Sequence, residues 1–107
     1  MIDDTRQAAQ EIVVSIDTDL KELIPWYLQK RKSDLRTLSE KILLRDFETI
    51  RILGHSMKGS GGSYGFSPIT EIGHALETSA QTMNAEGVRK GIEELSHFLR
   101  KVKVMYV

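Results

Sequence analysis

The stretch LGHSMKGSGGSYGF, residues 53–66, sets one histidine among five of the chain's eight glycines, yet its apolar residues still recur at helical spacing. On a helix, Arg51, His55, Lys58, Gly59 and Gly62 share one face at steps of three and four. An imidazole that is neutral near pH 7 is a nucleophile, and the cations of Arg51 and Lys58 beside it favour that neutral form while stabilising an incoming phosphoryl group. Gly59 and Gly62 leave bare backbone next to the ring, so that a partner's active site can come close. A lone histidine is more often an ordinary surface or core residue. The difference here is the glycine content: Gly59, Gly61 and Gly62 inside a helix cost roughly 0.5–1 kcal/mol each relative to alanine, which a small domain does not carry without a return.

Other chemistries fit the residues poorly. Gly54-x-x-x-x-Gly59-Ser60 matches part of a nucleotide-binding loop, but the lysine between the second glycine and the hydroxyl is missing and no strand precedes it. His55, His74 and His97 fall on three different predicted helices without a carboxylate pair at ligand spacing, which excludes an obvious metal site. No nucleophile elbow or oxyanion hole marks a hydrolase, so Ser56, Ser60 and Ser63 are read as surface hydroxyls. His74 and His97 are read as ordinary polar residues. Lys+Arg and Asp+Glu both number 15 in 107 residues, and the longest basic run, Lys30-Arg31-Lys32, reads as a solvated helix face. Nucleic acid and anionic membrane surfaces are therefore poor partners. The absence of cysteine removes disulfides and thiolate chemistry and suits a reducing compartment. No apolar stretch approaches a membrane span, and the expected location is cytoplasmic.

The elements that must carry His55 follow from periodicity. Residues 1–16 mix a helix-favouring run, Gln7 to Glu11, with the β-branched Ile12, Val13, Val14 and Ile16, and are set apart as an N-terminal extension without an assigned structure. From Asp19, the stripe Leu20, Ile24, Tyr27, Leu28, Leu35, Leu38, Ile42 predicts helix, with Pro25 giving either a short helix followed by a long one or a single kinked helix. Asp46 caps a second helix with the seam Phe47, Ile50, Leu53, Met57, Tyr64, ended by Gly65 in the left-handed conformation. Ser67 caps a third, with Pro68 at its first position and the stripe Ile69, Ile72, Leu76, Ala80, Met83, stopped at Asn84. The last stripe, Val88, Ile92, Leu95, Leu99, Val102, Tyr106, runs on as one helix at heptad spacing, with a final turn that frays or extends. One domain over residues 17–107 is expected, all-α, as an antiparallel up-and-down four-helix bundle.

Within that frame His55-Ser56-Met57-Lys58-Gly59-Ser60, with Gly62 and Gly65 following, resembles the H-x-L-K-G-S-x-x-x-x-G motif of histidine-containing phosphotransfer (HPt) domains of two-component phosphorelays. The likeness extends from about Asp17 to Val104. It takes in Asp19-Leu20-x-x-Leu23-Ile24-Pro25-x-Tyr27-Leu28, Arg45-Asp46-Phe47-Glu48-x-Ile50 and Leu76-Glu77. Met57 replaces the commoner leucine, and Gly54 replaces a commoner alanine and loosens the helix further. The resemblance implies that His55 accepts a phosphoryl group on Nε2 from a receiver-domain aspartate, or from a histidine kinase, and relays it to another receiver. It also implies that Lys58 contacts the phosphoryl oxygens, that Gly59 keeps the approach open, and that Glu77 occupies the facing position that supports the site. Such a domain is a phosphoryl carrier rather than an enzyme, with no ATP site and no cofactor or metal of its own, any Mg²⁺ belonging to the receiver. Its partners are response-regulator receiver domains and a sensor or hybrid histidine kinase, and the expected state is a monomer. The initial methionine and the lack of a trailing linker suggest a stand-alone protein. The competing function is an adaptor that binds a receiver or kinase without turnover at His55.

Overall fold

The computed structural model describes residues 10–107, which run in the order β1 (Ile12–Ile16), a 3-10 turn (Thr18–Leu20), α1 (Ile24–Leu43), α2 (Phe47–Ser63), α3 (Ser67–Gln81), α4 (Ala85–Lys101) and β2 (Val102–Tyr106). Pro25 lies in the first turn of α1, where its missing N–H costs no hydrogen bond, so the proline separates a short 3-10 turn from one long helix. Asp46 accepts from the Thr49 backbone N–H at 3.1 Å and caps α2. Gly65 closes α2 with φ +87°. Asn84 accepts from Gly87 N–H at 3.0 Å and therefore caps the start of α4, while α3 has already ended at Gln81. Ser67 does not cap α3 but is its first residue. The cap position falls to Phe66, whose ring is fully buried and whose N–H bonds the Gly61 carbonyl at 2.7 Å.

The fold is four-helical as expected, but it is not all-α. β1 and β2 form a two-stranded parallel sheet in the register Ile12↔Val102 through Ile16↔Tyr106. The four helices form the crossover that a parallel pair requires. Val102 and Tyr106, read as the end of the last helix, instead belong to a strand because Val102, Val104 and Tyr106 alternate with the exposed Lys103 and Met105 at period two. The β-branched run at Ile12 to Ile16 supplies the partner strand, and Ile16 enters the core. The extension thus contributes structure from Ile12 onward, whereas residues 7–9 of the helix-favouring run lie outside the described residues.

Leu38, Ile50, Met57, Phe66, Ile69, Leu76, Val88 and Leu95 are fully buried and draw all four helices onto one core. Tyr27 of α1 stacks on Tyr64 and Phe66, with ring centroids 4.3 Å and 5.7 Å apart, and Phe66 meets Phe98 of α4 edge-on at 6.2 Å. The most extensive helix contact is that of α2 with α3. There the two backbones touch at glycines. A Cβ on Gly73 would lie 2.5 Å from Lys58 N, one on Gly54 2.8 Å from the Gly73 carbonyl, and one on Gly61 2.6 Å from Thr70 N. Since Gly54 faces Gly73 and Glu77 while Gly61 faces Phe66 and Thr70, α2 and α3 run in opposite directions.

Gly73→Ala and Gly61→Ala should therefore each lower stability by about 1–3 kcal/mol in denaturant unfolding, the usual cost of overpacking, in spite of alanine's better helix propensity. Gly59→Ala, where nothing lies within 4 Å of the new methyl, should raise it by up to about 1 kcal/mol.

Candidate functional site

Close contact between α2 and α3 decides what faces His55. Glu77 begins against Gly54, where a Cβ would lie 2.7 Å from the Glu77 amide nitrogen, and its side chain reaches along α2 to two residues one turn apart. Its Oε2 lies 2.9 Å from His55 Nδ1 and its Oε1 2.8 Å from Lys58 Nζ. The carboxylate is only 10% exposed, the ring 67% and the lysine 36%. A carboxylate that deeply placed needs both oxygens satisfied, and they are. Its pKa is held below the usual value, first by the Lys58 hydrogen bond and then by that of His55, with partial burial opposing.

An ionised carboxylate only accepts hydrogen bonds, so the neutral ring presents Nδ1–H to Glu77 and keeps its lone pair on Nε2. The arrangement selects one tautomer of an exposed imidazole and leaves the more distant nitrogen available as a nucleophile.

The structure brings His55, Lys58 and Glu77 into one hydrogen-bonded group. Arg51 stands on the same helix face but is taken by Glu48, with Nε to Oε1 at 3.1 Å and Nη2 to Oε2 at 2.7 Å. Each of the two cations on this face has its own carboxylate, and one of those carboxylates also holds the ring. The glycines divide as well. Gly59 faces open space, and a Cβ on Gly62 would make only an ordinary contact, 3.7 Å to Thr70 Oγ1. Gly61 and Gly54 instead serve the α2–α3 contact, so Gly54 permits close packing rather than loosening the helix.

Two residues read as solvent-facing have other places. Arg31 is 5% exposed, inside the bundle, and Ser60 is half-buried beside it. Arg31 donates Nη1 to Ser60 Oγ at 2.9 Å, pairs with Asp34 at 3.0 Å, and lies over the Tyr27 ring, while the Tyr27 hydroxyl is 2.9 Å from the same Ser60 oxygen. This group fastens α1 to α2 five residues beyond His55. Burial pushes the Asp34 carboxyl up against the lowering effect of Arg31. Arg31 falls within a basic run, and the only advance signal for its burial was its place one turn after Tyr27 on the apolar stripe. His74 and His97 are exposed and have no hydrogen bond or ion pair among the described residues.

Because the folded pKa of Glu77 lies below its usual 4.5, its contribution to stability is present above that pH and is lost as the pH falls through the lower folded value. The stability gap between wild type and Glu77→Gln should accordingly narrow on acidification below about 5, as read by chemical unfolding at a series of pH values.

Among the described residues no three Cys, His, Asp or Glu side chains converge as a metal-binding set, and no helix is long and apolar enough to cross a membrane. No curated protein sequence and no solved structure gives a significant match. A protein-family model described as the Hpt domain does match, over residues 1–103, a span that takes in all four helices, β1 and the start of β2. With nearly its whole length so matched, the chain belongs to the Hpt domain family.

Proposed function

We propose that the protein is a phosphorelay intermediate that takes a phosphoryl group on His55 Nε2 from a receiver-domain aspartate, or from a histidine kinase, and passes it to another receiver. The observation that carries this reading is the hydrogen bond from Nδ1 to Glu77 on a ring that is 67% exposed, since it engages Nδ1 and leaves Nε2 as the nitrogen with a free lone pair. The Nε2 lone pair attacks phosphorus, the Nε2–P bond forms, the bond from phosphorus to the aspartyl oxygen breaks, and the aspartate leaves as a carboxylate. Lys58 then turns from Glu77 to the phosphoryl oxygens, a charge-assisted contact within reach from one turn away. Gly59 and Gly62 leave α2 low on the side where the receiver must approach. The carrier acts without an ATP site or a metal of its own, as a monomeric up-and-down bundle in the cytoplasm. An adaptor without turnover would have no use for an imidazole fixed in a single tautomer.

Incubated with a phosphorylated receiver, the wild type should acquire an acid-labile, base-stable label that His55→Gln lacks. Labelling of a folded His55→Gln variant would place the acceptor elsewhere.

Gly59→Leu tests the approach. Its side chain enters open space, so stability should hold or rise, while transfer from the receiver should fall at least tenfold in single-turnover assays. A variant that transfers at the wild-type rate would move the docking face away from Gly59.

A further inference from the structure

Among the described residues Glu77 is the one acidic group hydrogen-bonded to the reactive ring, and hydrogen-bond geometry alone would be met equally well by an amide. The charge therefore asks for its own account. The form of the ring that attacks phosphorus is the neutral one, with its proton on Nδ1. Once Nε2 has bonded to phosphorus and the aspartate has left, that proton is still on Nδ1, so the ring has become an N-phosphoryl imidazolium carrying one positive charge. No proton has left the site. The positive charge develops 2.9 Å from a carboxylate that is largely shielded from water, where the attraction is much stronger than in bulk solvent.

We infer that the negative charge of Glu77, beyond its orienting of the ring, stabilises the phosphorylated imidazolium and so sets the balance of phosphoryl transfer toward His55. The inference rests on His55 being the acceptor. Glu77 is a positioning and charge-stabilising residue in this account, with the logic of a carboxylate behind a histidine that becomes positive during reaction.

Lys58 takes part in the same balance. In the free protein its ammonium is bound to Glu77 Oε1 at 2.8 Å, and it keeps that carboxylate ionised before any phosphoryl group arrives. When the phosphoryl oxygens attract the ammonium away, Glu77 gives up one cation and gains another, the ring. The carboxylate is never left uncompensated. The phosphoryl dianion itself lies across the ring from Glu77, so its repulsion acts over a longer distance than the attraction at 2.9 Å.

The test is the equilibrium constant for exchange between a phosphorylated receiver and the protein, measured for wild type, Glu77→Gln, Lys58→Met and the double variant, with circular dichroism to show that each is folded. Glu77→Gln keeps an acceptor for Nδ1–H but removes the charge, and it also frees Lys58 for the phosphoryl group, an opposing effect. In the Lys58→Met background that opposing effect is absent. There Glu77→Gln should move the equilibrium toward the phosphorylated receiver by about tenfold, a part of the attraction between opposite charges in contact near a protein surface, the rest being offset by the phosphoryl dianion. In the wild-type background the shift should have the same direction and a smaller size. An equilibrium that does not move, or that moves toward the protein, in the Lys58→Met background overturns the inference while leaving His55 as acceptor, provided that both variants still label and His55→Gln does not. Labelling of His55→Gln overturns the assignment of the acceptor itself.

Discussion

The backbone contact between α2 and α3 is the constraint on which the site depends. Helices packed through ordinary side chains stand 8–10 Å apart. Here Gly54, Gly61 and Gly73 allow backbone atoms of one helix to rest on the other, with no space for even a methyl group between them. That approach puts the Glu77 main chain against Gly54, and only from there can one short side chain reach both His55 and Lys58 on the neighbouring helix. A wider gap would leave the carboxylate either in water, with little effect on the ring, or buried without partners. The second outcome costs more than the first. The glycines thus act through distance, and the chemistry of the ring follows from it.

The two sides of α2 handle buried charge differently. Toward α3, Glu77 is nearly covered, yet two cationic or proton-donating partners keep its pKa low. Toward α1, Asp34 is also covered, but desolvation outweighs the single neighbouring arginine and its pKa is raised. The contrast follows first from desolvation, the largest influence on Asp34 and a lesser one on Glu77, and then from how the partners are shared. Glu77 has a partner on each oxygen, while the Arg31 guanidinium divides itself among Asp34, the Ser60 hydroxyl and the Tyr27 ring. Asp34 thus holds Arg31 within α1, and the hydrogen bonds of Arg31 and Tyr27 to Ser60 join α1 to α2, while the buried pair itself recovers little beyond its own desolvation. Held by Ser60 on one side and by the glycines on the other, α2 has little freedom to rotate, and His55 projects in one direction.

Most of the helical frame was legible because each helix carries a stripe at the right period and begins with a recognisable residue such as Asp46. The sheet was not, for a specific reason. Val102 and Tyr106 are spaced by four and continue the preceding heptads, so helix and strand periods agree over that short stretch, and the choice rests on pairing with residues ninety positions earlier. The glycines were legible as an anomaly but not as two kinds. Gly59 and Gly61 differ by two positions, which on a helix means nearly opposite sides, and only the location of α3 tells which side is open. Arg31 was hidden by its neighbours Lys30 and Lys32: a basic run looks like a solvated face until one member proves to have a serine, an aspartate and an aromatic ring to meet it. Glu77, read from family likeness alone, had no signal in spacing, because its relation to His55 lies between helices.

That last relation changes the character of the site. The sequence suggests a nucleophile flanked by two cations that await a phosphoryl group. Among the described residues both flanking cations are already matched, Arg51 by Glu48 and Lys58 by Glu77. An arriving anion therefore finds no vacant cation and must compete with an existing ion pair. Competition of this kind would lower affinity for small free anions, which have only one contact to offer, more than for a receiver docked around Gly59 as proposed above. In the proposed relay, selectivity for a protein-borne phosphoryl group would need no dedicated pocket, because the same carboxylate that fixes the ring also keeps the lysine occupied until a partner is docked.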